Sequence, residues 1–332
     1  MSDEVVRQVL QMYGHTPVRL LGIQKGYRNS SHHIVTASGE HLNLIVYKSE
    51  PGILERIQQA NRAADYAAEH RALVRRTADP RILQLRGGGR TRYAALYTYL
   101  PGKTIPWESY TQEHLKLLGK TMSDLHAILA SFPAQRLTLI TDEYTAILKR
   151  IERYFNDKQV YTAIRQKLGV AVPITTAREH QKLMRVCRGL AGQQVLHMDF
   201  VRGNILFAED SGKLGVSGVL DFEKIAYGHP LFDIGRTLAF LLVDCKYKQE
   251  HKIKKYFLQS GYNKRGAQQI RDITVHDILE DDISILERLI DLFLLYDFYK
   301  FLRHNPYEFL CQNEHYERTK QILINRNIIR AV

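Results

Sequence analysis

The chain has 332 residues, 45% of them hydrophobic and 25% charged. It can therefore bury one large core or two moderate ones, and disordered, collagen-like and coiled-coil classes are excluded for the chain as a whole. No apolar run approaches the roughly 18 residues of a membrane span; the nearest, Leu289 to Leu302, is broken by Asp291, Asp297 and Lys300. The start, Met1-Ser2-Asp3-Glu4, is acidic and leads into no signal-peptide core. These features predict a soluble, cytoplasmic protein with no membrane partner. Cys187, Cys245 and Cys311 lie far apart and read as reduced thiols. The net charge of +12 favours anionic ligands. Its densest cluster, Arg71, Arg75, Arg76, Arg81 and Arg86, reads as a solvated basic face rather than a nucleic-acid patch.

In chain order, Asp3 to Tyr13 has helical apolar spacing. Val18 to Ile23 and His33 to Thr36 read as strands separated by the polar segment Gly26-Tyr27-Arg28-Asn29-Ser30-Ser31. The turn Ser38-Gly39-Glu40 leads into a third strand, Leu42 to Tyr47, and Pro51-Gly52 precedes a helix from about Ile53 to Arg71. Ile82 to Leu85 and Tyr93 to Tyr99 form a glycine-linked hairpin across Gly87-Gly88-Gly89. Beyond Pro101-Gly102 the pattern turns helical. Thr111 to Ser131 places Leu115, Leu118, Met122, Leu125 and Leu129 on one face, and Thr145 to Tyr154 and Arg178 to Leu190 are further helices. Short strands and turns occupy Gln194 to Asp221, and helices resume from Pro230 to about Asn325. The halves differ in class, with a boundary near Pro101.

The segment with the most chemistry runs from Val195 to Phe207. An apolar strand delivers His197 and Asp199, a five-residue step reaches Asn204, and a second strand begins at once. After the turn Asp210-Ser211-Gly212-Lys213, a third strand ends in Asp221-Phe222-Glu223. Phosphoryl transfer needs a carboxylate to orient or deprotonate a hydroxyl, hard oxygen ligands for Mg2+, and positive charge facing the transferred group. An Asp, an Asn amide and a second Asp at the tip of a neighbouring strand meet that need. Without further context, Asp199 and Asn204 would be ordinary turn residues. Glu223 stays open between a metal shell and the surface, and His197 reads as a buried, satisfied histidine.

His197-x-Asp199-x-x-x-x-Asn204 resembles the catalytic loop of the aminoglycoside phosphotransferase/choline kinase-like superfamily, with Met198 where glycine is usual. Asp221-Phe222-Glu223 resembles its metal-binding segment, and Gly228-His229-Pro230-Leu231-Phe232-Asp233 its Gly-x-Pro-x-x-Asp motif. The resemblance implies an α+β, bilobal protein kinase-like fold. It has a small antiparallel N-lobe with one helix over residues 1–97, a hinge over 98–103, and a larger, mainly helical C-lobe over 104–332. It implies Asp199 as catalytic base, His197 as the brace of the catalytic loop, Asn204 and Asp221 as ligands of Mg2+, and Asp233 as structural; Arg202, in the same loop, joins Asp199 and His197 as a candidate catalytic residue. It also implies an ATP site formed by Gly26, Asn29, Ser30 and Ser31 of a phosphate loop, Lys48, and the hinge residues Tyr97 and Tyr99. Leu117-Leu118-Gly119 through Leu125-His126 resembles a scaffold helix.

Strand three departs from the family, which expects a mid-strand Lys or Arg; Ile45 occupies one aligned position. Lys48 is the candidate, with Arg28 and Arg202 as alternatives, and neither Glu55 nor Glu69 is a settled partner. The expected activity is ATP-dependent transfer of the γ-phosphate to a hydroxyl of a small polar molecule, by a monomer or weak homodimer. The alternative is a pseudokinase acting as a nucleotide-binding regulatory module. A nucleic-acid binder rests on net charge alone. Asp281, Asp282, Asp291 and Asp297, with Tyr296 and Tyr299, either line an acceptor cleft or form solvated faces and core.

Overall fold

The computed structural model describes residues 3–25, 29–87, 89–173, 175–263 and 280–332, with backbone alone at 17–18, 22–25, 90 and 280–284. Gly26, Arg28 and Gly88 thus lie outside the described residues. Contacts divide the chain into two compact units, one of residues 1–104 with 204–224, the other of 105–203 with 225–332.

The first unit is built on an antiparallel sheet in the order β1-β2-β3-β5-β4: β1 (Pro17–Lys25), β2 (Ser30–Thr36), β3 (His41–Tyr47), β4 (Thr77–Gly87) and β5 (Arg90–Thr98). The two-residue period of the central strands sorts their side chains to opposite faces. Leu42, Leu44, Val46, Ala94 and Leu96 pack with Val6, Val9 and Leu10 of helix α1 (Asp3–Met12). Ile45, Tyr47, Ala95 and Tyr97 pack with Ile53 and Ile57 of α2 (Ile53–Glu69). One helix follows the third strand, as its sequence pattern requires. Strand β4 is longer than its apolar core implies and contains Pro80, which an edge strand tolerates because no neighbour awaits its missing N–H. A ribbon of β6 (Ile205–Asp210) and β7 (Lys213–Val219) completes the unit, tied to it through Val74–Val219 and Lys103–Phe207 bridges.

The second unit is mainly helical. Helix α3 (Gln112–Leu129) starts at Thr111, whose hydroxyl accepts from the His114 N–H at 3.4 Å. The His114 ring returns a bond to the Thr111 N–H at 3.1 Å. A histidine thus completes the capping box that Glu or Gln usually closes. Helix α4 (Ile140–Asn156) begins earlier than its sequence suggested. Helix α5 (Lys158–Leu168) had not been anticipated, although Val160, Ile164 and Leu168 carry its four-residue spacing and Asp157 caps it. Helices α6 (Thr175–Arg188), α7 (Leu231–Asp244), α8 (Glu250–Lys254), α9 (Glu280–His304), α10 (Tyr307–Leu310) and α11 (Glu314–Asn325) follow. After α8 the backbone widens into a π-helix, Lys255–Tyr262, that packs on Gly119 of α3. A Cβ at Gly119 would lie 2.1 Å from the Phe257 carbonyl oxygen, so only glycine permits this approach.

None of the described helices is long and apolar enough to cross a membrane. Asp291 and Asp297 are ion-paired rather than solvated, and Asp297 also lines a cavity with Tyr296 and Arg236. Asp291 pairs with Arg326, and Asp297 accepts from His315 at 2.8 Å and Lys300 at 2.7 Å. Tyr296 and Tyr299 meet Tyr144 and Tyr154 edge to face. The side chains of Asp281 and Asp282 lie outside those described.

Candidate active site

Within the first unit, the β6–β7 ribbon turns through Ser211 and Gly212, both with positive φ, which matches the right-handed twist of a tight hairpin. Its register pairs Ile205 with Val219, and the Leu220 N–H then donates to the Asn204 carbonyl at 2.8 Å. Asn204 and Asp221 therefore flank the same end of one ribbon. Asp221 leaves the strand at φ +60, a conformation that Asp tolerates better than most residues, and its Oδ1 accepts from the Glu223 N–H at 3.2 Å. An amide and a carboxylate residue at one strand end are the residue types that a hard divalent cation prefers. Among the described residues no cluster of three or more His, Cys, Asp or Glu adds to them.

Glu223 is drawn into this corner. Its Oε1 accepts from Asn29 Nδ2 at 2.6 Å, and Asn29 Oδ1 accepts from the Lys48 N–H at 3.2 Å. The expected phosphate-loop residue is thus latched to the end of the Asp221-Phe222-Glu223 segment. Burial, reinforced by the charge of Asp221, pushes the Glu223 carboxyl up to about 7. Ser30 Oγ meets the His32 ring at 3.2 Å, and Ser31 Oγ lies 2.7 Å from the Asn43 amide.

Strand three offers no cation. Ile45 fills the aligned position and packs against α2, whereas Lys48 falls beyond the strand's end and is exposed. Glu55 and Glu69 are exposed as well. The polar link between sheet and helix is instead neutral: Tyr47 and Tyr97 hydroxyls meet at 2.6 Å, and Tyr97 donates to Asn61 Oδ1 at 2.8 Å. Burial raises both phenols, so they stay protonated. Tyr97 is therefore engaged through its hydroxyl inside the unit, while Tyr99 stacks on His33 with ring centroids 3.7 Å apart. Tyr47 and Asn61 were not legible in advance, since a tyrosine and an asparagine carry no charge pattern.

In the second unit, the strand Gln194–Leu196 pairs with Ala226–Gly228 and delivers His197. The Asp233 carboxylate, in the first turn of α7, accepts from the His197 N–H at 2.8 Å and the Met198 N–H at 2.7 Å. It also meets His126 Nε2 at 3.0 Å. Although burial alone would raise Asp233, these partners hold it below the usual carboxylate range. Met198 adopts φ +56, which explains why glycine is usual there; its almost fully buried side chain offsets the backbone cost. His197 is wholly buried, and its Nδ1 accepts from the Asp199 N–H at 3.2 Å. It is a brace for the loop.

Asp199 is 8% exposed and accepts from Arg236 Nη2 at 3.2 Å. Arg236 also donates to the Tyr144 hydroxyl at 3.0 Å. Sequence reading missed Arg236, although Asp233 and Arg236 stand three apart on one helix, a spacing that puts both over the same loop. Arg202 is exposed and lines a cavity of about 220 Å³ with Glu108, Asp244, Lys246, His315 and Arg318.

At this cavity His315 bridges Asp244 at 2.6 Å and Asp297 at 2.8 Å. Burial opposes its protonation, but the two carboxylates prevail and raise it to about 9. A raised histidine stabilises the fold fully below the unfolded-chain value of about 6.5 and loses that contribution as pH climbs through the folded value. Denaturant titrations should show stability falling by about 1–3 kcal/mol across this interval. His315→Gln should flatten the slope; an unchanged slope would remove the bridge from the account.

A model of the phosphotransferase enzyme family, APH, matches residues 19–246, more than half the chain. The chain belongs to this family. The phosphotransferase is also similar in fold to solved kinases. An amicoumacin kinase in complex with AMP-PNP, Ca2+ and Ami aligns with a TM-score of 0.67 and 14% identity, covering 97% of this chain and 96% of that one. A microcompartment-associated aminopropanol kinase aligns at 0.60 and 15%, covering 100% of both chains. An aminoglycoside phosphotransferase from Alicyclobacillus acidocaldarius aligns at 0.57 and 13%, covering 95% of each. Identities this low establish the fold alone. No curated protein sequence matches the chain.

Proposed function

We propose that this phosphotransferase moves the γ-phosphate of ATP to a hydroxyl of a small polar molecule. The observation that carries the reading is the buried Asp199–Arg236 pair on a loop whose two preceding amides are clamped by Asp233. A carboxylate fixed in orientation, at a loop held rigid from behind, suits a general base. Asn204 and Asp221 would hold Mg2+, which when bound would offset charge on the nucleotide phosphates. Asn29, Ser30 and Ser31 would line the phosphates, with Tyr99 and the backbone of 98–103 near the base. The boundaries 1–97, 98–103 and 104–332 are proposed on the same footing.

The acceptor would occupy the cavity beside Arg202. Its lining alternates carboxylates with cations, and several are already paired, as in Lys246–Glu314 at 2.7 Å. Such a lining suits a polar acceptor of low net charge better than a polycation. An amicoumacin kinase and an aminopropanol kinase among the structural neighbours support the same general class of acceptor.

A nucleotide-binding module without turnover is the second reading, favoured by the missing strand-three cation. ADP release from ATP with Mg2+, screened over hydroxylated metabolites and antibiotics, separates the two; no turnover with any acceptor, alongside intact nucleotide binding, would favour the module. Asp221→Ala should weaken Mg-nucleotide binding about 10–100-fold, the scale of losing a carboxylate from a metal–phosphate site. An unaltered metal requirement would remove Asp221 from the metal site.

A further inference from the structure

The first unit holds a cation that none of the motif positions predicted. We propose that Arg75, from the segment after α2, is the positive charge for the nucleotide phosphates that strand three lacks. This rests on the kinase reading above. Its backbone is zipped to β7, the strand that leads into Asp221. Val74 and Val219 form a parallel bridge, Arg75 N–H donates to the Val219 carbonyl at 3.2 Å, and Val219 N–H donates to Leu73 O at 2.8 Å. The backbone of this arginine is therefore held beside the strand that leads into Asp221.

The side chain crosses to the α2 face of the sheet. With the Asn43 amide turned so that its nitrogen donates to Ser31 Oγ at 2.7 Å, its oxygen accepts from Arg75 Nη1 at 3.2 Å. The guanidinium lies over the Tyr97 ring, 4.9 Å from its centroid. Asn43 and Ile45 share this face, so Arg75 reaches the face to which a strand-three lysine at position 45 would point.

Among the described residues no carboxylate lies within ion-pair distance of Arg75, although it is half-buried. The contrast with its rivals is direct. Arg56 is spent on Glu50 at 2.7 Å, and Arg236 on Asp199 at 3.2 Å. Lys48 is exposed past the strand end. A half-buried guanidinium retaining most of its five donors, beside a polar serine–asparagine pair, is a pre-organised receptor for phosphate oxygens.

The test is the affinity of the intact chain for ATP and for AMP-PNP with Mg2+, by calorimetry without acceptor, for wild type, Arg75→Ala, Arg75→Lys and Lys48→Ala. Arg75→Ala should weaken both nucleotides at least tenfold. Arg75→Lys should recover part of the loss, because charge is kept while the fork is lost. Lys48→Ala should stay within about threefold. Adenosine, which lacks phosphates, should bind wild type and Arg75→Ala alike; an equal loss for adenosine would make Arg75 a support for Tyr97 and overturn the proposal. Wild-type affinity in Arg75→Ala with the loss moved to Lys48→Ala would also overturn it, and would leave the kinase reading standing. If wild type bound neither nucleotide, the kinase reading itself would fall, and the proposal with it. Melting temperatures of the variants show whether each is folded, and Arg75→Met replaces the alanine variant if that one is not.

Discussion

Asp199→Asn should cut turnover roughly a thousandfold, the scale of losing a general base, while ATP affinity stays within about threefold. The substitution is nearly isosteric. Arg236 Nη2 can still donate to the remaining oxygen across 3.2 Å, and the Asp199 N–H still meets His197 Nδ1 at 3.2 Å, so the loop keeps its shape. What disappears is a group able to accept the proton of an attacking hydroxyl. Arg236 then becomes a buried guanidinium beside a neutral amide, and a small loss of stability is expected with the loss of rate. Single-turnover measurements separate chemistry from product release. A rate within tenfold of wild type would take Asp199 out of the proton-transfer step and favour a mechanism of positioning alone.

Asp233→Ala should destabilise the helical unit by about 3–5 kcal/mol, as breaking a buried, fully engaged charge does. The carboxylate is 1% exposed and satisfies two backbone amides and one histidine ring. Removing it strands all three donors in a site closed to water, and also releases the backbone of Met198 from its left-handed conformation. Asp233→Asn should fall between wild type and alanine, because its amide nitrogen must face one of those donors. Denaturant midpoints measure both variants. A loss below about 1 kcal/mol for alanine would mean that the loop is held by its strand alone. Where the alanine variant folds, its turnover should drop as well, since the clamp sets the direction of Asp199 through two adjoining amides.

The chemical groups were legible from the sequence because each is bound to a local pattern. An apolar strand, a polar step of fixed length and a second strand announce Asp199 and Asn204. The Asp210-Ser211-Gly212-Lys213 turn forces the hairpin that returns the chain to Asp221. The apolar run Leu42 to Tyr47 and the helical spacing in Ile53 to Arg71 predict a strand followed by a helix, and the structure has both. Even the clamp was signalled, as Asp233 in the Gly-x-Pro-x-x-Asp segment. These are interactions over few residues, whose geometry the backbone itself imposes.

Partnerships between distant segments could not be read the same way. Asn29 with Glu223, Tyr47 with Tyr97 and Asn61, Arg236 with Asp199, and Arg75 with Asn43 join side chains whose identities carry no mutual spacing rule. Whether an arginine is spent or available depends on which carboxylate the fold brings near it: Arg56 meets Glu50, whereas Arg75 lies over the Tyr97 ring. One-dimensional order determined the elements and the candidate site residues; three-dimensional proximity decided which charges are compensated, because Coulomb and hydrogen-bond energies depend on distance in space and not on separation along the chain.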